Sequence, residues 1–104
     1  MLEWELIGST STKGETIYLP DNYSEIYIEV GNVNDDSGFL QFKIPKIALS
    51  ATEKIYTQSS IWGAMSNTSQ RTRVAVTNTY VRFAQYGVNA NETYNGITMR
   101  VYCK

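Results

Sequence analysis

The chain has no histidine, one cysteine, two prolines and no long apolar run among its 104 residues. Each absence closes off a class of chemistry. Without histidine there is no Ser-His or Cys-His dyad, no usual proton shuttle near neutral pH, and none of the commonest zinc ligand. With Cys103 as the sole thiol, no intrachain disulfide can form. No stretch nears the ~20 apolar residues needed to span a bilayer. The opening Met1-Leu2-Glu3-Trp4-Glu5 carries neither the basic nor the apolar part of a signal peptide. The expectation is a soluble product of the cytoplasm with no membrane partner. A net charge of −1 lacks the electrostatic footprint of a nucleic-acid binder. Arg71, Arg73 and Arg82 lie close in sequence, but their spacing reads as outward positions of one hairpin.

What is present is alternation. In Glu25-Ile26-Tyr27-Ile28-Glu29-Val30, one face collects Ile26, Ile28 and Val30, and the other Glu25, Tyr27 and Glu29. Ile97 to Lys104 behaves alike, with Ile97, Met99, Val101 and Cys103 opposed to Thr98, Arg100, Tyr102 and Lys104. A period of two is the strand period, because successive side chains leave a strand on opposite faces. Val, Ile and Thr outnumber Leu and Ala by 27 to 11, which suits a pleated, half-buried surface. The sequence divides into strands at Leu2–Ile7, Glu15–Leu19, Glu25–Val30, Phe39–Ile44, Lys54–Gln58, Ser60–Met65, Thr72–Asn78, Tyr80–Tyr86 and Ile97–Lys104. Gly8 to Gly14, Pro20-Asp21-Asn22, Asn32 to Gly38, Ser66 to Ser69 and Gly87 to Gly96 supply the loops. Lys46 to Ser50 reads as one helical turn or an irregular crossover.

Eight or nine short strands predict an all-β fold, a single antiparallel, jelly-roll-like β-sandwich domain over residues 1–104. Its inner face is expected to hold Leu2, Trp4, Leu6, Ile26, Ile28, Val30, Leu40, Phe42, Ile44, Val74, Val76, Val81, Phe83, Ile97, Met99, Val101 and Cys103. Cys103 in that register reads as a buried, inert thiol.

Candidate sites are few. A carboxylate pair running glycoside hydrolysis needs two acids about 5–10 Å apart in a cleft. Glu3 with Glu5, and Glu25 with Glu29, share strand faces, but outward positions on half-exposed strands account for both pairs without chemistry. Asp35 and Asp36, with Asn32 and Asn34, offer oxygens to calcium yet lack the spacing and closing Glu of a calcium loop, so a solvated turn is favoured. Asn22, Asn67 and Asn91 begin glycosylation-type triplets that have no meaning without secretion. Among aromatics, Trp62, Tyr56, Tyr80, Tyr86 and Tyr94 are the candidates for stacking on cell-surface glycan. Trp62 reads rather as core or subunit interface, with Tyr86 and Tyr94 the more exposed pair. No catalytic residue, metal or cofactor is expected, and the protein is read as a non-enzyme.

The ordered set Trp4-Glu5-Leu6-Ile7-Gly8-Ser9, the Thr/Gly loop, then Thr16-Ile17-Tyr18-Leu19-Pro20 and Glu25-Ile26-Tyr27-Ile28-Glu29-Val30 resembles small β domains of bacteriophage and prophage tail and fibre modules. There "Trp-x-Leu-x-Gly", "x-x-Leu-Pro" and "Glu-Leu-Tyr-Val-x-Val" recur near the N-terminus, and the chain closes on a strand ending in an aromatic and a basic residue, as Tyr102 and Lys104 do here. The match covers the first 30 residues best and is framework, so no site residue carries over. The resemblance implies a virion structural or host-receptor-binding part without chemistry. Its implied partners are other virion proteins, copies of itself (a trimer, as such modules commonly are) and a cell-surface glycan. The alternative is a non-viral carbohydrate-binding module. A small glycosidase-like enzyme stands third.

Overall fold

In the computed structural model the chain is all β, described over residues 3–32, 40–61, 69–87 and 97–104, with side chains for 3–31, 41–57, 72–84 and 98–104. Eight strands run in order: β1 (Glu5–Thr10), β2 (Thr16–Tyr18), β3 (Glu25–Asn32), β4 (Leu40–Pro45), β5 (Lys54–Ile61), β6 (Ser69–Val76), β7 (Tyr80–Gly87) and β8 (Ile97–Cys103). They form two four-stranded antiparallel sheets, β1-β8-β3-β4 and β2-β7-β6-β5. We call these the first and second sheets. The outer pairings are jelly-roll-like, first strand with last and second with seventh. Inside them the chain closes by local hairpins, β3 with β4 and β5 with β6.

The two sheets share one core. Ile26, Ile28 and Val30 from β3, Phe42 and Ile44 from β4, and Met99, Val101 and Cys103 from β8 face Val74 and Val76 from β6 and Val81 and Phe83 from β7. The sequence predicts every one of these inward from alternation, which in β7 is broken only past Phe83, where the register with β6 shifts between Arg73 and Val74. Leu2, Leu40 and Ile97 lie outside the described side chains. Leu19 and Tyr23 join the core from the β2–β3 connection. The Tyr23 hydroxyl donates to the Asn78 carbonyl at 2.6 Å, which ties that connection to the β6–β7 turn. In that turn the buried Thr77 hydroxyl accepts from the Thr79 and Tyr80 amides at 3.1 and 3.2 Å. The β6 strand therefore stops at Val76, short of the expected end at Asn78.

β1 corrects the sequence reading. Alternation predicts Leu6 inward, yet it is 53% exposed; Trp4, predicted inward as well, is half-buried with its ring against Tyr27 on the outer face. The register explains the inversion. Leu6 pairs with Tyr102 and Gly8 with Val101, so β1 spends one extra residue there and its alternation reverses. Beyond the bulge Gly8 faces inward, where a Cβ would stand 2.9 Å from Ile17 Cγ2. The sheets approach too closely for a side chain at that point. Ile7 and Ile17 then pack against the core instead of Leu6. The strand also continues to Thr10, through the start of the expected Gly8–Gly14 loop.

The second correction concerns β5. Lys54–Gln58 and the first residues of Ser60–Met65 form one strand, paired in continuous register with β6 from Lys54↔Val76 to Ile61↔Ser69. The sequence suggests a break at Ser59, but an edge strand accommodates a hydroxyl residue without interruption. Residues 62–65 of the expected strand lie outside the described residues. After Pro45, Lys46–Ala48 makes a single 3-10 turn, in keeping with the expected helical turn.

Candidate functional site

Among the described residues, the outer face of the first sheet carries a dense set of chemically distinctive side chains. Tyr27 and Tyr102 are direct cross-strand partners on β3 and β8, and Glu29 and Arg100 form the next such pair. Direct neighbours on one face bring side chains within contact distance. The Tyr27 and Tyr102 rings stack with centroids 5.6 Å apart and planes 27° from parallel. Trp4, entering β1, leans on Tyr27 at 5.5 Å and 48°. Lys104 Nζ stands 4.6 Å from the Trp4 ring centre, and Lys43 Nζ 5.7 Å from that of Tyr27, both within cation–π range.

The charges on this face are matched. Arg100 approaches Glu29 at 3.4 Å and Lys104 approaches Glu25 at 3.6 Å. The Tyr27 hydroxyl donates to Glu29 Oε2 at 3.2 Å, and Tyr102 also hydrogen-bonds Glu29. Desolvation, then the neighbouring Glu29 carboxylate, pushes the Tyr27 phenol up to about 12. Tyr102 is raised too, first by desolvation and then by its bond to Glu29. Both phenols remain neutral donors across ordinary pH, which suits hydrogen bonding and not acid–base exchange.

The outer face of the second sheet is built otherwise. Glu53, ahead of β5, accepts a 2.6 Å bond from the Tyr80 hydroxyl and a fork from Arg82, with Nη2 at 2.7 Å and Nε at 3.4 Å. The Arg82 bonds, then that of Tyr80, hold the Glu53 carboxyl below its usual range. Tyr18 meets the edge of Tyr80 at 6.3 Å and is otherwise open, 74% exposed. Ile55, beside the shielded Ala75, is 52% exposed.

The candidates named from the sequence scatter over this frame. Glu25 and Glu29 sit on the first sheet's outer face, each beside a cation. Glu3 and Glu5 are exposed; Glu3 precedes β1, and Glu5 pairs in register with the inward Cys103, so it does not share the face of Glu25 and Glu29. Cys103 is buried and its thiol is raised by desolvation, then by Glu5. Tyr56 packs against the core and Tyr80 lies on the second sheet's outer face. Arg82 is committed to Glu53, while Arg73 has its Nε buried without a partner among the described residues. Asn22 is exposed in the β2–β3 connection. Asn32 closes β3. Trp62, Tyr94, Asn34, Asp35, Asp36, Asn67 and Asn91, with the side chains of Arg71 and Tyr86, lie outside what is described. Among the described residues no group of three acidic or thiol side chains could hold a metal ion.

Alternation places Tyr27 and Tyr102 outward but does not bring them together, because β3 and β8 meet only in the folded sheet. Trp4 escapes sequence reasoning for the reason that inverts β1. Comparison with protein-family models, with curated proteins and with solved structures finds no match for this chain.

Proposed function

We propose that this chain is a non-catalytic recognition and assembly module of a bacteriophage or prophage tail or fibre, carried on the virion. The observation that supports a recognition role is the Trp4–Tyr27–Tyr102 row flanked by Arg100, Lys43 and Lys104. Trp, Tyr and Arg are the residue types that dominate binding hot spots. Rings already braced by one another lose little conformational freedom on binding. The N-terminal pattern from Trp4 to Val30 supports the tail-module assignment. Such a module contacts other virion proteins, copies of itself or a host receptor through sheet surfaces. The paired state of Glu25 and Glu29 fits a face that binds, since each carboxylate is already engaged by a cation.

Mass spectrometry of purified particles from a strain carrying the gene tests the assignment. The chain should co-purify with tail proteins, and its absence from intact particles would refute it. The same aromatic row favours a second reading, a non-viral carbohydrate-binding module, since sugar rings stack on exposed aromatic faces. The lysines over Trp4 and Tyr27 count against open stacking platforms. Glycan-array binding abolished by Trp4→Ala would establish that second reading in place of the first.

A further inference from the structure

Two sheets have four edge strands, and three of them carry the usual protections against pairing with another chain. β1 is broken by its bulge between Leu6 and Gly8. β2 is only three residues long. β4 ends in Pro45 and presents Lys43 at its solvent face. β5 has none of these. It runs eight residues, Lys54–Ile61, without proline or register shift, and its one charged residue is its first. Among the described residues β5 pairs only with β6 and ends its sheet, so the N–H and C=O of every second residue point outward along a straight edge.

We propose that β5 is a homotypic strand-addition site, at which a second copy of this chain pairs its own β5 antiparallel to form one eight-stranded sheet. The argument for a second copy is self-complementarity. A two-fold axis through Gln58 keeps both inner faces on the same side. It sets Gln58 against Gln58, Thr57 against the partner's Ser59, Tyr56 against the partner's Ser60 and Ile55 against the partner's Ile61. The register thus pairs positions of uncharged residue types throughout, and no like charges share a pair. Glu53 and Lys54 of the two copies fall at opposite ends of the joined ribbon. Ile55, 52% exposed, falls at the register position of an isoleucine in the partner strand. The interface is isologous and closes as a dimer, in place of the trimer that the tail-module resemblance implies. It gives the self-association of the proposed function a surface, yet it stands or falls separately from the virion assignment, which particle composition decides.

Light scattering with size exclusion at high micromolar concentration tests it. The wild-type chain should show twice its 11.8 kDa mass. Thr57→Glu should halve that mass, since two carboxylates would face each other diagonally across the axis at roughly 7–8 Å. The fold should tolerate the change, because Thr57 is exposed and in register with Arg73, whose Nε lacks a partner among the described residues. Should that variant fail to fold by circular dichroism, Ile55→Asp, at an exposed site, gives the same reading. A monomeric wild type, a trimeric mass, or a dimer unmoved by the folded variant overturns the proposal.

Discussion

The outer faces of the two sheets are finished differently. On the first sheet the described aromatic rings brace one another and the acids of β3 each have a cation: Trp4 on Tyr27, Tyr27 on Tyr102, Glu29 by Arg100, Glu25 by Lys104. On the second, one fork between Arg82 and Glu53 is well made, but Tyr18 and Ile55 stand largely in water. The edges divide the same way, with β4 and β1 blunted and β5 straight and bare of charge beyond its first residue. A face braced within itself is suited to recognise a partner without rearranging. A face left open beside an unprotected edge is suited to be covered. On the proposed reading, recognition and self-assembly lie apart, back to back across one core.

Both faces depend on that core, so the largest expected effect comes from breaking what they share. Ile28→Ala removes a fully buried side chain from β3 and should destabilise the fold by roughly 2–5 kcal/mol, read by denaturant titration. Gly8→Val attacks the close approach of the sheets at Ile17. Overpacking there should cost about 1–3 kcal/mol and displace β2 more than β3, visible as chemical-shift changes concentrated around Ile17. Tyr23→Phe leaves the Asn78 carbonyl without its donor and should cost about 1 kcal/mol, with no loss at either outer face.

Two pH effects separate the faces. Tyr27 ionises near its ordinary 10.0 when unfolded and at about 12 when folded. The contribution of its neutral form is therefore complete below pH 10 and lost as pH rises toward 12. Tyr23, Tyr80 and Tyr102 are raised as well, so phenolate absorbance should show several late-titrating tyrosines, and Tyr27→Phe should lower their number by one. Glu53 has the opposite sign. Its folded carboxyl lies below the 4.5 of the free group, so its contribution is present above that value and disappears as pH falls through the folded pKa. Glu53→Gln should remove that acid-side loss with the smallest stability change of the series, since water and salt screen an ion pair this open to solvent. Thermal melts across acid pH would show it.

What the sequence discloses tracks the regularity of the strands. β3 and β8 alternate without interruption, so Ile26, Ile28, Met99 and Val101 can be placed from the chain alone. β1 looks equally regular, but its alternation is reset by a bulge that turns Gly8 inward, where the close approach to Ile17 spans two sheets. No local pattern contains that contact. β5 seems to divide at Ser59 only if an apolar period is demanded of it, and an edge strand needs no such period. The candidate site on the first sheet is half legible. Tyr27, Glu29, Arg100 and Tyr102 read as outward, but their meeting depends on the pairing of two strands far apart in the chain. Trp4, which completes the row, reads from the sequence as belonging to the opposite face.

The proposed division of labour between the sheets is tested most directly by hydrogen exchange followed strand by strand at low and high protein concentration. An edge strand that adds a second copy gains protection only when the second copy is bound. The account predicts that the outward amides of β5 become protected as concentration rises, while β4, the corresponding edge of the first sheet, does not change. Equal protection of β5 at both concentrations, or a gain at β4 instead, would contradict it.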